Sequence, residues 1–339
     1  MKTLVLKNPQ RLVIEQTPEP RDPGPGEVVV RVRRVGVCGT DIHAYRGEQP
    51  FFTYPRILGH ELGVEIDAVG PDVVNVAPGD HCAVEPYLNC GRCTACMLGR
   101  TNCCETLQCL GVHTDGGMRE RIALPAQKVH RSESLSLDAL ALVETLGIGK
   151  HAVDRARIEA GQTVAVIGLG PIGLTAVQFA LLTGANVIGV DVSAARLEAA
   201  RSLLGVDGLM LDTTRPIVDQ WLDSFDQLPL IVLDATGSRA SMQGAFALPC
   251  NSGTLVFVGL LPGDIAFNDP EFHRKELTLL ASRNSVARDF RDIIAHLEAG
   301  RIDTSPWITH RSDASAWPDA FKNWLMPDAG LLKGVVSFD

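Results

Sequence analysis

Short β-branched and apolar runs, each broken by Gly or Pro, follow one another through about the first 130 residues, at positions 3–6, 11–14, 27–35, 64–69 and 81–84. Runs of this kind predict strands, so the region reads as all-β. After residue 160 the pattern becomes strand, glycine turn and amphipathic helix in repetition. Apolar runs recur at 163–167, 186–190, 228–233 and 253–259, and Leu174, Val177 and Leu181 keep a helical spacing after the first of them. That alternation predicts a parallel sheet flanked by helices. From about 285 the chain predicts a helix over 290–299 stopped by Gly300, an extended segment at 307–310, a helix over 316–325 and a strand over 334–338. The expected architecture is therefore α/β with two domains: a β-rich one over 1–150, completed by 285–339, and a doubly wound parallel-sheet domain over 151–284.

Composition narrows the function classes. With 339 residues, two domains of ordinary size are expected. The 31 Lys and Arg against 40 Asp and Glu give a net charge of −9, with no basic block, which argues against nucleic acid or an anionic membrane as the main partner. No apolar stretch approaches the roughly 20 residues of a bilayer span, and the opening apolar run is too short for a secretory signal, so a cytoplasmic protein is expected. Nine cysteines are present and five, Cys90, Cys93, Cys96, Cys103 and Cys104, fall within fifteen residues. In a reducing compartment such a cluster suggests metal-binding thiolates before disulfides.

The strand at 163–167 runs into Gly168, Leu169, Gly170, Pro171, Ile172 and Gly173 and then into a helix. Gly168 permits the tight turn, Gly170 lets backbone N–H groups approach a pyrophosphate, and Gly173 lets helix and strand pack closely, with the helix N-terminus facing the negative charge. A second strand ends in Asp191, 21 residues after Gly170, where a carboxylate can accept hydrogen bonds from an adenosine ribose. A carboxylate repels a 2′-phosphate, which favours NAD over NADP; Arg196, one turn into the next helix, keeps NADP open.

Cys90, Cys93, Cys96 and Cys104 have a spacing that lets one loop wrap four thiolates around Zn²⁺ with no open position, a structural site. Cys103 competes with Cys104 as the fourth ligand, and a thiol redox switch competes with the metal reading. Cys82, Cys109 and Cys250 sit in apolar surroundings and read as core. Earlier in the chain, Cys38, His60 and Glu61 supply one thiolate, one imidazole and one carboxylate, the mixed set of a catalytic zinc that keeps a position for substrate.

Taken together, the segment 36–43, the Gly59, His60, Glu61 triplet, Gly79 with Asp80, the four-cysteine lobe, Gly116 with Gly117, the glycine fingerprint and the segment 234–237 resemble, end to end and in order, the zinc-dependent medium-chain dehydrogenase/reductase family. The branch it looks like acts on polyols, sugar acids and threonine, and segments 49–56, 99–105, 111–113, 269–273 and 282–284 look most like its L-galactonate type. The resemblance implies a GroES-like catalytic domain and a Rossmann domain. It implies two zinc ions per subunit, with Cys38 and His60 as ligands of the catalytic one, Glu61 as ligand or exchangeable neighbour, and Glu144 at the same metal. It also implies a proton relay through Thr40 and His43, and an arginine, Arg283, directed toward substrate. Phe51, with Phe52 and Tyr54, offers an apolar pocket wall. Two positions depart from the family pattern: Thr145 stands where a proline is usual, and Gly63 precedes Val64 where the glycine is expected one place later.

The expected activity is NAD-dependent, zinc-dependent oxidation of a secondary hydroxyl of a polyol, sugar or L-galactonate-like sugar acid to the ketone. The alternatives are oxidation of an amino alcohol of the L-threonine type and a non-catalytic NAD-binding redox sensor. A homo-oligomer, dimer or tetramer, is expected, with the apolar run 254–258 as an edge for pairing between subunits.

Overall fold

Val30 and Val32 are buried while Arg31 and Arg33 beside them are half-exposed, the two-residue alternation that a strand shows when one face covers a core. The computed structural model describes residues 1–49, 52–326 and 329–339. In it β1 (Lys2–Asn8) pairs antiparallel with β2 (Arg11–Gln16), and the alternating valines lie in β3 (Glu27–Val37). Helix α1 (Gly39–Arg46) follows, then β4 (Arg56–Ile57), β5 (Glu61–Val69), β6 (His81–Val84) and β7 (Tyr87–Leu88). The cysteine lobe carries the short α2 (Thr94–Met97) and leads into β8 (Gln108–Cys109), which pairs with β7. Strands β9 (Arg121–Pro125) and β10 (Val129–Ser132) and helices α3 (Leu137–Ala141) and α4 (Val143–Ala156) complete this stretch. The displaced glycine has a packing reason: a Cβ on Gly63 would lie 2.1 Å from the Leu137 carbonyl, so its absence lets α3 lie on β5.

The next stretch alternates strand and helix: β11 (Thr163–Ile167), α5 (Pro171–Leu182), β12 (Asn186–Asp191), α6 (Ala194–Leu204), β13 (Asp207–Met210), α7 (Ile217–Leu222), β14 (Ile231–Asp234), α8 (Arg239–Gly244), β15 (Thr254–Phe257), α9 (Asp269–Arg274) and β16 (Thr278–Ala281). All pairs are parallel, in the order β13-β12-β11-β14-β15-β16, which is doubly wound with its reversal between β11 and β14. Two expectations change. The run expected over 228–233 becomes a strand only from Ile231, because Pro229 has no N–H to give to a ladder. The run 254–258 is not an edge: β15 lies between β14 and β16, and the apolar sequence that suggested pairing is that of an inner strand.

The chain then returns to the first sheet through α10 (Ala287–Glu298), β17 (Ile308–Asp313), α11 (Trp317–Trp324) and β18 (Lys333–Ser337). Strand β18 inserts between β3 and β17 in the order β10-β6-β5-β3-β18-β17, and Trp317 and Phe321 of α11 join Val30, Val64 and Leu62 in the core beneath. Two compact units result, 1–145 with 286–339, and 146–285. Among the described residues, no helix is long and apolar enough to cross a membrane.

Candidate active site

In the antiparallel pair of β3 and β5, Glu61 stands opposite Gly36, and a Cβ on Gly36 would lie 2.1 Å from Glu61 Oε2. The bare glycine makes room for the carboxylate. Just beyond β3, Cys38 caps α1, its N–H donating to Asp41 Oδ2 at 3.0 Å. Gly59, at φ +92°, turns the chain so that His60 and Glu61 enter β5 facing Cys38. As a result the ligating atoms of Cys38, His60 and Glu61 all lie within 4.8 Å of one another.

Charge is concentrated around this set. Burial disfavours ionisation of Glu61, yet Lys333 and His60 outweigh it and hold its carboxyl below the usual range. Lys333, 3% exposed, donates to both Glu61 oxygens at 2.7 and 2.9 Å. Burial also opposes the imidazolium form of His60, but Cys38, Asp41 and Glu144 raise its pKa well above the ordinary value. Burial pushes the carboxyls of Asp41 and Glu144 up. His60 Nδ1 is buried without a hydrogen-bond partner among the described residues. An uncommitted imidazole nitrogen, a thiol and a carboxylate this close, in a field this negative, fit a zinc ion with a position left for substrate.

Glu144, in the first turn of α4, is buried but stands outside the three-residue set; its Oε1 accepts a hydrogen bond from the buried Tyr87 hydroxyl. Thr40 and His43 lie three residues apart on α1, and the exposed His43 ring has Nδ1 3.1 Å from Glu48 Oε2. Phe51 lies outside the described residues. Phe52 and Tyr54 meet edge to face at 4.9 Å and pack against the core.

A second set gathers in the lobe around α2. The sulfurs of Cys90, Cys93, Cys96 and Cys104 lie within 4.8 Å of one another, while Cys103 is exposed and outside the set. Backbone N–H groups of Arg92 and Cys93 pull the Cys90 thiol down to about 6, which favours the thiolate a zinc ligand must be. Four sulfurs in one compact group fit a closed structural zinc. Burial pushes Cys82 and Cys109 up to about 12, as expected of inert core thiols, whereas Cys250 is only half-buried.

In the second unit the turn after β11 has the conformation that its glycines allow. Gly168 has φ +87°, and a Cβ on Gly173 would lie 1.7 Å from the Gly168 carbonyl. Gly170 caps α5, Pro171 is its first residue and Ile172 follows, and a Cβ on Gly170 would meet nothing within 4 Å. That open space belongs to a cavity of about 640 Å³ lined also by Asp191, Arg196 and Arg215. Asp191 is fixed at the end of β12 by the N–H groups of Leu169 (2.7 Å to Oδ2) and Ser193 (2.9 Å to Oδ1), with Arg196 Nη1 3.7 Å away. A bare Gly170 beside a helix N-terminus and a fixed carboxylate fits a dinucleotide with free ribose hydroxyls. Arg283 follows β16 in this unit and is exposed.

Residues 24–134 match the family model for the alcohol dehydrogenase GroES-like domain, and residues 171–299 match that for zinc-binding dehydrogenases. The chain belongs to the zinc-binding dehydrogenase family. It is an oxidoreductase of the zinc-type alcohol dehydrogenases, which act on CH–OH donors, with a GroES-like and a Rossmann domain. It is 38% identical to L-galactonate-5-dehydrogenase of Escherichia coli K12, covering 100% of this chain and 99% of that one. It is 33% identical to sorbitol dehydrogenase of Bacillus subtilis 168, covering 99% and 97%. Among solved structures it superposes with TM-score 0.93 on the short chain alcohol dehydrogenase RspB of Escherichia coli CFT073 complexed with NADH, at 32% identity over 100% of this chain and 99% of that one.

Three residues of this zinc-type dehydrogenase escape a reading of the sequence for its motifs. Asp41 lies within a motif but gives no sign that it faces His60. Tyr87 looks like any core aromatic. Lys333 stands one residue before the expected final strand, and its only signal is a lysine at the head of an apolar run.

Proposed function

We propose that this dehydrogenase uses zinc and NAD to oxidise a secondary hydroxyl of a polyol, sugar or L-galactonate-like sugar acid to the ketone. The observation that carries the reading is the convergence of Cys38, His60 and Glu61 within 4.8 Å, a mixed donor set suited to catalysis, in a chain with a separate four-sulfur set. Similarity over the full chain to L-galactonate-5-dehydrogenase and sorbitol dehydrogenase supports the substrate class. The fixed Asp191 carboxylate, and the NADH in the RspB complex, support NAD ahead of NADP.

When bound, zinc supplies a Lewis acid that lowers the pKa of the substrate hydroxyl, and NAD accepts the hydride. Cys38 and His60 would hold the catalytic ion, with Glu61 in reach and Glu144 beside it; Cys90, Cys93, Cys96 and Cys104 would hold the structural one. Thr40 Oγ1 would accept the hydroxyl proton as it gives its own toward His43, whose exposed ring would release a proton to water; Glu48 steadies that ring. Gly168 and Gly170, with Pro171, Ile172 and Gly173 opening α5, cradle the pyrophosphate, and Asp191 accepts the ribose hydroxyls while Arg196 flanks it. Phe51 and Arg283 contribute to substrate binding, Arg283 by a bidentate grip on a carboxylate or hydroxyl pair. The domains are 1–145 with 286–339 for catalysis and 146–285 for NAD. The thiolate sites suit a cytoplasmic enzyme, and a homo-oligomer would pair through the outer strand β16.

NADH formation is the test, measured with NAD or NADP across polyols, aldonic acids including L-galactonate, and L-threonine, before and after chelation and zinc return. Zinc-restorable turnover of a polyol or sugar acid is expected. Turnover of L-threonine alone, or NAD binding with no turnover, overturns the reading.

A further inference from the structure

Three buried carboxylates lie close to His60; the Gly59 N–H also reaches Asp41 and the Thr145 hydroxyl also reaches Glu61, but the leading donor differs at each. Asp41 takes the Cys38 N–H at 3.0 Å, Glu61 takes the Lys333 ammonium, and Glu144 takes the Tyr87 hydroxyl. The first two tethers are a backbone amide and a full charge. The third is a neutral phenol, fixed in place because Tyr87 is 2% exposed and sits opposite Cys109 in the β7–β8 pair, which Leu110 N–H extends by donating to the Pro86 carbonyl at 3.1 Å.

We infer that Tyr87 is a positioning residue of the catalytic metal site, which holds Glu144 out of the Cys38, His60 and Glu61 donor set and so keeps one position free for substrate. The inference rests on the zinc reading above. Glu144 belongs to the first turn of α4, is 5% exposed, and lies close enough to His60 and Glu61 to feel their charges while remaining outside their ligand set. A buried carboxylate oxygen that loses its donor seeks another partner. Lys333 is already bound to both oxygens of Glu61, and a dication held by Cys38 and His60 is the strongest partner within reach of a released Glu144. A fourth protein ligand closes a zinc site, and a closed site is structural. The Tyr87 hydroxyl thus separates a site that turns over from one that only binds.

The test uses full-length protein with cobalt(II) exchanged for zinc, the difference spectrum between wild type and Cys38→Ser isolating the catalytic site from the cysteine lobe. Tyr87→Phe removes only the hydroxyl. Its visible cobalt bands should shift as a carboxylate takes the fourth position in place of water, release of the metal to a chelator should slow, and kcat/KM should fall about tenfold or more. Tyr87→Phe/Glu144→Gln, which removes the anionic ligand as well, should restore the wild-type bands and release rate. A purely structural tyrosine would lower stability without this spectral change or its reversal. Wild-type bands and release in Tyr87→Phe, or no reversal in the double variant, overturn the inference. A flat wild-type minus Cys38→Ser spectrum overturns the zinc reading itself, and the inference with it.

Discussion

Lys333 Nζ binds both oxygens of Glu61, at 2.7 and 2.9 Å, across a sequence separation of 272 residues, and both side chains are almost fully buried. Neither charge is solvated, so each depends on the other. Removing the lysine as Lys333→Met takes the ammonium from a buried carboxylate and should destabilise the protein by about 3–5 kcal/mol. Lys333→Met/Glu61→Gln should recover most of that. Denaturant unfolding of the wild type, Lys333→Met, Glu61→Gln and the double variant measures the coupling, and additive losses would show that the pair is not a unit.

Asp191 is expected to govern the choice of dinucleotide. Its oxygens are held by Leu169 and Ser193 N–H groups and face the cavity in which Arg196 and Arg215 stand. On the proposed reading, Asp191→Ala removes the acceptor for the ribose hydroxyls and the repulsion toward a 2′-phosphate. The ratio of kcat/KM for NAD to that for NADP should fall by roughly 10- to 100-fold, the worth of a hydrogen bond to a charged group. Steady-state kinetics with both dinucleotides checks this, and an unchanged ratio would place the adenosine elsewhere.

Gly170 and Gly173 should separate binding from folding. A Cβ at Gly173 meets the Gly168 carbonyl at 1.7 Å, whereas a Cβ at Gly170 meets nothing within 4 Å. Gly173→Ala should lower the melting temperature. Gly170→Ala should melt like the wild type yet bind NADH more weakly, because its methyl enters the space a pyrophosphate needs. Thermal melts paired with NADH fluorescence titration distinguish the two.

The cysteine lobe offers a comparison between neighbours. Cys104 lies in the four-sulfur set and Cys103 is exposed outside it. Cys104→Ser should retain about one zinc per chain where wild type and Cys103→Ser retain about two. Elemental analysis after dialysis reads the answer, and equal zinc in both variants would refute the assignment of the fourth ligand.

What the sequence makes legible is what local backbone geometry encodes. Gly168 and Gly173 announce their turn because only glycine fits there, Gly170 because a bare backbone leaves room for a pyrophosphate, and Cys38, His60 and the four lobe cysteines announce themselves by side-chain type and short spacing. Long-range partners stay hidden. Nothing near Glu61 points to Lys333, and nothing near Glu144 points to Tyr87, because closure of the sheet and the lie of α4 bring them together. The run 254–258 shows a related limit: an apolar strand reads the same whether it is inner or outer, and only the pairing of β16 decides.

Strand β18 lies between β3 and β17, so the first sheet takes one of its inner strands from a segment made after the whole of the second unit. On the ribosome the nucleotide-binding unit can therefore fold while the older, metal-bearing part of the chain is still waiting for that strand. Glu61 remains without its ammonium partner through that interval, which makes the metal site among the last parts of the enzyme to mature.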